Sequence, residues 1–372
     1  MRILVAGASG FVGAMLVPRL LAEGHEVRAM ARDPERTHAA VAAQLLRERN
    51  SLLGGEDAGE GTEAQLGTEA GLRLEVVPGD VLRDEGLEAA LEGVDVAYYL
   101  IHSMERQPRD GGPEGSHPEG SGQLPPGVSF PERERIGASR FAGWARLSGV
   151  GRVVYLGGLT PTTWQPSPHL ASRQAVERIL LEAVPDSIAL RSSIVVGAGS
   201  RSFRLLVRLV ERLPVLALPR WSRYATQPID GRDLVAMLVR AADLPSTHLP
   251  PARIPASPGL PAPDRRTIEV AGPEVLTYGE ILEGIAEVML VRRQPLRLGV
   301  DVTQLSARVL AAITAEDPEL TVSLMGALKG DLLPSTPAQE SAALFGVNLH
   351  SFDSAVEHAL REWESVDTLA AR

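Results

Sequence analysis

The chain contains no cysteine, so disulfides, thiolate nucleophiles and cysteine-ligated zinc are excluded from the start. Lysine is almost absent as well. Lys329 is the only one among 37 basic residues, and arginine supplies every other fixed cation. No uninterrupted apolar run approaches the ~18 residues that a membrane span needs. The first residues, Met1 to Ala6, read directly as a strand with no cleavable preamble, so no secretory signal is expected and the expected compartment is the cytoplasm. Apolar residues make up 44% and charged residues 23%, the balance of an ordinary globular enzyme. The net charge of −10 argues against a nucleic-acid partner. It is unevenly spread: Glu48, Glu56, Asp57, Glu60, Glu63 and Glu69 crowd one segment that holds a single arginine, Arg49.

Strand and helix patterns alternate along the first half of the chain, which predicts an α/β fold with a parallel sheet covered on both faces. The expected strands are Arg2–Ala6, His25–Ala31, Leu72–Val77, Val94–Ile101, Arg152–Leu156 and Ser187–Arg191. Helices are expected at Phe11–Ala22, from Pro34 to about Arg49, and at Glu85–Leu91, Glu132–Ser148 and Leu170–Ala183. Asn50–Glu69 and Gln107–Gly127 are rich in Gly, Glu, Ser and Pro without apolar periodicity, and read as mobile surface insertions. Pro245–Arg265 is proline-rich and reads as a linker or long excursion. Beyond it, Thr267–Val270 is expected to return to the sheet. Thr277–Leu290 reads as a helix, with Thr277 and Glu280 as a capping box. From about Asp301 the remainder reads as mostly helical. The expected division is 1–245 for the sheet domain, with insertions at 50–69 and 107–127, and 246–372 for a smaller, mainly helical C-terminal region.

The sharpest motif is Gly7-Ala8-Ser9-Gly10-Phe11-Val12-Gly13, set between the first strand and the first helix. A pyrophosphate requires close backbone approach and free N–H groups at a helix N-terminus, and small residues allow both. Gly7 suits the tight turn, Gly10 leaves room for phosphates, and Gly13 lets the helix pack on the sheet. With a strand before, a helix after and a second strand at the right distance, the context is that of a dinucleotide site in a Rossmann-type, doubly wound sheet. The second strand ends at Ala31-Arg32-Asp33. An acidic residue there would bind the adenosine ribose of NAD, whereas arginine suits a 2′-phosphate. Arg32 comes first, so NADP(H) is favoured and NAD(H) is the lesser reading. Asp33, one residue late, is expected to cap the next helix. Ser9 offers a hydroxyl to the same phosphate. Asp80, within Gly79-Asp80-Val81, is offered to the adenine edge, with a turn or helix cap as its structural alternative. His102 follows the fourth strand and either lines the nicotinamide pocket or is a simple loop histidine.

Together these residues resemble the short-chain dehydrogenase/reductase superfamily in its extended, atypical branch. The resemblance rests on the Gly7/Gly10/Gly13 spacing, on Gly79-Asp80-Val81 and on Arg191-Ser192-Ser193-Ile194-Val195-Val196-Gly197. Within that branch the chain is similar to NmrA-like and complex-I-subunit-like bacterial NAD(P)-binding proteins, a likeness carried by Ser167-Pro168-His169-Leu170-Ala171-Ser172-Arg173 and Ala271-Gly272-Pro273-Glu274-Val275-Leu276. The resemblance implies cofactor contacts at Gly7 through Gly13, Arg32, Asp80, Val81 and His102. It also implies a catalytic tyrosine with a lysine four residues later, and here the chain departs from the family. Tyr98, Tyr99, Tyr155, Tyr224 and Tyr278 are followed four places on by His102, Ser103, Leu159, Pro228 and Leu282, so no Tyr-x-x-x-Lys exists. His169 and Arg173 stand in that place instead, four apart on one helical face. Arg173 stays protonated and cannot relay a proton. His169, with an ordinary pKa near 6.5, is the candidate acid, against a plain helix start after Pro168 with Arg173 pairing to Glu177.

Three functions remain open. One is an NADP(H)-dependent oxidoreductase acting on an unidentified carbonyl or quinone-like small molecule. A second is a non-catalytic NADP(H) sensor, regulatory or assembly protein with a protein partner. The third, nucleotide-sugar epimerase or dehydratase action, leans hardest on the missing tyrosine. No metal site is expected. Arg191 is left between a substrate anion and a buried carboxylate. The stripe Arg201, Arg204, Arg208 and Arg212 is left between an acidic ligand and a solvated helix face. Trp164 and Trp221 are left between the roof of a pocket and core packing.

Overall fold

The computed structural model describes residues 1–52, 73–102, 128–245, 247, 249, 254–297 and 328–365. Strands β1 (Arg2–Ala6), β2 (Glu26–Ala31), β3 (Leu74–Pro78), β4 (Val96–Tyr99), β5 (Arg152–Gly158), β6 (Ile188–Ser192) and β11 (Thr267–Val270) form one seven-stranded sheet. Its order is β11-β6-β5-β4-β1-β2-β3. The pairs β1–β2, β2–β3, β1–β4 and β4–β5 are parallel, with Ala6 opposite Met30 on one side and Tyr99 on the other. This is the doubly wound Rossmann order, whose direction of winding reverses between β1 and β4. Helices α1 (Phe11–Ala22), α2 (Pro34–Leu52), α3 (Leu87–Leu91), α4 (Phe130–Leu147) and α5 (Pro168–Ala183) fill the crossovers.

The elements of this half match the expected ones within a few residues. One difference is that α2 continues through Asn50 to Leu52, past the expected stop near Arg49. The rest of the first insertion and the whole of Gln107–Gly127 lie outside the described residues.

The chain divides into two compact units. One comprises Met1–Leu156, Ala175–Ala189 and Leu238–Leu249; the other comprises Gly157–Gln174, Leu190–Met237 and Pro250–Arg372. The core of the first is built from alternate strand residues and helix faces: Leu4, Ala6, Met30, Tyr99, Phe141 and Tyr155 are all essentially inaccessible. Tyr99 meets Phe141 edge-on, with ring centroids 5.0 Å apart. The wholly buried Tyr98 hydroxyl donates to the carbonyl of Leu238 at 2.8 Å, which satisfies a group that would be costly to leave dry. Arg152, also buried, spends its guanidinium on the carbonyls of Asp186, Ala241 and Ala242 and on the Asp186 carboxylate.

The second unit has its own apolar cluster. Helix α6 (Arg201–Arg212) contributes Phe203, Leu206 and Val210. Helix α8 (Tyr278–Val288) contributes Ile281 and Ile285, and helix α10 (Phe352–Glu364) contributes Phe352, Val356 and Trp363. Short strand pairs tie its loops together: β10 (Ile229–Asp230) with β7 (Val195–Val196), β12 (Leu276–Thr277) with β9 (Ala225–Thr226), and β13 (Pro295–Arg297) with β8 (Leu216–Leu218). The described residues also include helix α7 (Gly231–Ala241), whose residues to Met237 belong to this unit, and helix α9 (Ala338–Phe345). The C-terminal stretch expected to be helical from Asp301 lies outside the described residues as far as Ala327. Among the described residues, no helix is long and apolar enough to cross a membrane.

Candidate functional site

The glycine turn sits where the sheet reverses direction. The Gly7 N–H donates to the Met30 carbonyl at 3.3 Å, and the Leu100 N–H donates to the Ala6 carbonyl at 2.9 Å. Gly7 has φ of +92°, and a Cβ there would lie 2.9 Å from the Leu100 carbonyl carbon, so both conformation and space require glycine. A Cβ on Gly13 would collide with the Gly7 oxygen at a distance no side chain survives. The turn is thus folded back on the first turn of α1. Gly10 is the N-cap residue. No side chain caps the helix and no acidic residue stands in its first turn, so the helix N-terminus offers its amides unopposed by local negative charge. Ser9 and Gly10 are exposed, Phe11 and Val12 half-buried, and Ala8 buried. A backbone of this shape at an uncapped helix N-terminus leaves room for a phosphate group to approach the amides closely.

The flanking residues divide. Arg32 is exposed immediately after β2. Asp33 accepts a hydrogen bond from the Arg36 N–H at 3.0 Å and so caps α2, as its offset suggested. Asp80 turns inward on its own loop: its Oδ1 accepts from the N–H groups of Leu82 (2.7 Å) and Arg83 (3.3 Å). Trp144 braces the same loop through a 2.9 Å bond from its indole N–H to Asp84, which has φ of +60°. Val81 is 4% exposed and packs in the core beneath α4. His102 is exposed, with Nδ1 2.8 Å from the Ile101 carbonyl oxygen.

The residues in the place of the family's dyad lie in the second unit. His169 is the second residue of α5, whose start is capped by the Ser167 hydroxyl accepting from the Leu170 N–H at 3.3 Å. Arg173, one turn on, is buried, and so is Glu177 a turn beyond it. The His169 ring is held down to a pKa of about 4, first by burial and then by the Arg173 charge. This corrects the expectation of an imidazole titrating near neutrality. At neutral pH the ring is neutral, and it can give only an N–H, not an imidazolium proton. Thr160, the nearest hydroxyl after β5, is buried and accepts from Arg191 at 2.9 Å. Arg191 is itself 1% exposed, and its Thr160 contact is interior, so it is no surface anchor. None of the five tyrosines falls in α5.

The remaining open residues also resolve. Arg204 and Arg208 stack on the ring of Trp363, their guanidinium carbons 4.7 and 4.9 Å from its centroid, and Arg208 pairs with the buried Glu211 at 2.6 Å. Two of the four arginines in the stripe therefore cover a core tryptophan. Trp221 is core, edge-on to Tyr278 at 6.0 Å. Trp164 is half-buried against Gly330. Sequence reasoning missed that contact because the two residues are far apart in the chain.

The order of strands and the uncapped glycine turn at the reversal point define a doubly wound, Rossmann-type α/β fold. The NmrA-like family matches residues 1–112 of the chain, the stretch that holds this turn. Solved structures share the fold over nearly the whole length at low identity. Triphenylmethane reductase of Citrobacter sp., complexed with NADP(H), is 15% identical with a TM-score of 0.61, covering 96% of this chain and 100% of its own. UDP-glucuronic acid 4-epimerase of Bacillus cereus, in complex with UDP-glucuronic acid and NAD, is 13% identical with a TM-score of 0.61, covering 99% and 100%. The protein gox2253 is 16% identical with a TM-score of 0.61, covering 98% and 97%. No curated protein matches the sequence.

Proposed function

We propose that the protein binds NADP(H) at the β1–α1 turn and reduces a carbonyl or quinone-like small molecule, with His169 giving a hydrogen bond to the oxygen that gains charge. The observation that carries the reading is the glycine turn, whose backbone is shaped for phosphate and whose helix N-terminus is left uncapped. Gly7, Gly10 and Gly13 would hold the pyrophosphate by backbone approach, and Arg32 would meet the 2′-phosphate. The cofactor supplies the hydride, so the protein's own task is to orient the acceptor and stabilise its oxygen. A neutral imidazole suits that task as a donor to an oxyanion, a stronger base than the ring. Arg173 keeps the site cationic without exchanging protons. The NADP(H)-bound reductase among the fold relatives supports this reading by analogy only.

The test is NADPH oxidation against a panel of aldehydes, ketones and quinones, with His169→Ala beside the parent. Turnover reduced about 100-fold or more in the variant, at unchanged NADPH affinity, is the expected result. Undiminished turnover would remove His169 from the chemistry. The missing dyad and the unprotonated ring favour one second reading, a redox sensor. It requires NADPH and NADP+ to bind with different free energies, which calorimetric titration with both measures directly.

A further inference from the structure

Helix α8 stops with a leucine in a position shaped for glycine. The Leu290 N–H donates to the Glu287 carbonyl at 3.0 Å, and the Val291 N–H donates to the Ala286 carbonyl at 2.9 Å. These are the two bonds of a Schellman stop, in which the residue at Leu290 is usually glycine. Leu290 has φ of +56°, a conformation that a bulky side chain adopts only at a cost. Packing within the fold recovers none of it, because the residue is 89% exposed. Among the described residues six large apolar ones are exposed, and two more of them, Val215 (40%) and Leu296 (54%), stand close by in the chain segments that meet here.

Those segments, residues 212–223 and 288–297, are tied side by side. Arg293 donates from Nε to the Val210 carbonyl at 3.1 Å and from Nη2 to the Glu211 carbonyl at 3.0 Å. The Leu216 N–H donates to the Gln294 carbonyl at 3.2 Å, and β13 runs parallel to β8 with Leu296 opposite Ala217. Together they carry Arg212, Arg220, Arg223, Arg292, Arg293 and Arg297 and no Asp or Glu, in a chain whose net charge is −10. All of these arginines but Arg293 are exposed. Of the acids at the borders, Glu211 is buried against Arg208, and only Glu287 is exposed.

Exposed leucines call for an apolar partner and clustered arginines for an anionic one. A second copy seated face to face would set these arginines against themselves, because a two-fold interface pairs a patch with its own image. A nucleic acid would leave the leucines in water. An anionic bilayer meets both demands, with headgroup phosphates for the guanidinium groups and the acyl boundary for the leucines. We propose that this face of the second unit docks peripherally on an anionic lipid surface, with Leu290 entering the acyl boundary and Arg292 and Arg297 meeting headgroup phosphates. The docking is independent of the cofactor and of His169.

The test is flotation of the full chain with vesicles of phosphatidylglycerol and phosphatidylcholine in equal parts, and with vesicles of phosphatidylcholine alone. Binding to the anionic vesicles, weakening as salt is raised, and little binding to the neutral ones is the expected result. Arg292→Ala is expected to weaken binding by about fivefold, the contribution of one arginine near a charged surface. Leu290→Gly suits the backbone better than leucine does, so its urea midpoint should not fall, yet its binding should drop several-fold. No binding to anionic vesicles, equal binding to both kinds, or parent-like binding in both variants would each overturn the proposal. So would a dimer in sedimentation velocity that Leu290→Gly abolishes while vesicles leave the parent unbound, which would make the face a contact between copies.

Discussion

Arg32 and Asp33 are neighbours with different work. Asp33 is taken by the Arg36 N–H, which leaves its carboxylate committed to a helix start. Arg32 is exposed where the second strand ends and carries the positive charge that a 2′-phosphate needs. Replacing Arg32 with alanine should therefore weaken NADPH by about 10- to 100-fold, the range of a charge-assisted hydrogen bond, and NADH by less than about twofold. Calorimetric titration of both cofactors reads the difference, and equal losses would assign Arg32 no part in cofactor choice. At this scale much of the site was legible, because the demands on Gly7 and Gly13 are local: a positive φ and a backbone within van der Waals reach. Val81 and Asp80 were less legible. A Gly-Asp-Val triplet does not reveal that the valine packs under α4 or that the carboxylate folds back onto Leu82 and Arg83. The depressed pKa of His169 was invisible for the same reason, since burial is a tertiary property.

Among the elements, helix α8 shows a start signal realised in full. The Thr277 hydroxyl accepts from the Glu280 N–H at 3.2 Å, and the Glu280 carboxylate accepts from the Thr277 N–H at 2.7 Å. The bonds that its carboxylate takes from Thr277, backbone first and hydroxyl second, hold the Glu280 carboxyl below its usual value. A depressed carboxyl contributes stability that is present above its unfolded value of 4.5 and fades as pH falls through the folded one. Thr277→Ala should cost about 1 kcal/mol in urea unfolding near neutral pH, and the cost should shrink in acid. A cost that stays constant from pH 7 to pH 3 would mean that the box is not the source. Capping boxes, glycine stops and long alternations are written in adjacent residues, and for that reason β1 to β6 and the helices between them could be placed from the sequence. Strands of two residues, such as β7, β9, β10 and β12, have no alternation to read, and they exist only because the loops of the second unit meet.

Within the second unit, contacts distant in sequence hold the C-terminal helix in place. Asp233, in the first turn of α7, is 2% exposed and accepts from the backbone N–H of His350 at 2.8 Å, with the ring Nδ1 of His350 2.6 Å from its other oxygen. Next to it, Arg232 pairs with Asp230 at 2.6 Å. His358 on α10, facing Asp230, Arg232, Arg361 and His350, is held below its ordinary value mainly by burial. Two residues after His350, helix α10 begins with Phe352, whose N–H donates to Glu274 at 3.0 Å. Burial outweighs the two bonds from His350 and holds the Asp233 carboxyl above its ordinary 3.8. A carboxyl whose folded pKa is raised stays protonated longer in the folded state. Its contribution to stability is full below 3.8 and declines as pH rises through the folded value. In Asp233→Asn the side-chain amide cannot ionise, yet it keeps an acceptor for the His350 N–H. The urea midpoint of the parent, measured from pH 3.5 to 6, should therefore fall relative to that of the variant as pH rises. Parallel profiles would mean that the folded protein holds this proton no more tightly than the unfolded chain, and that burial at Asp233 is fully compensated by His350.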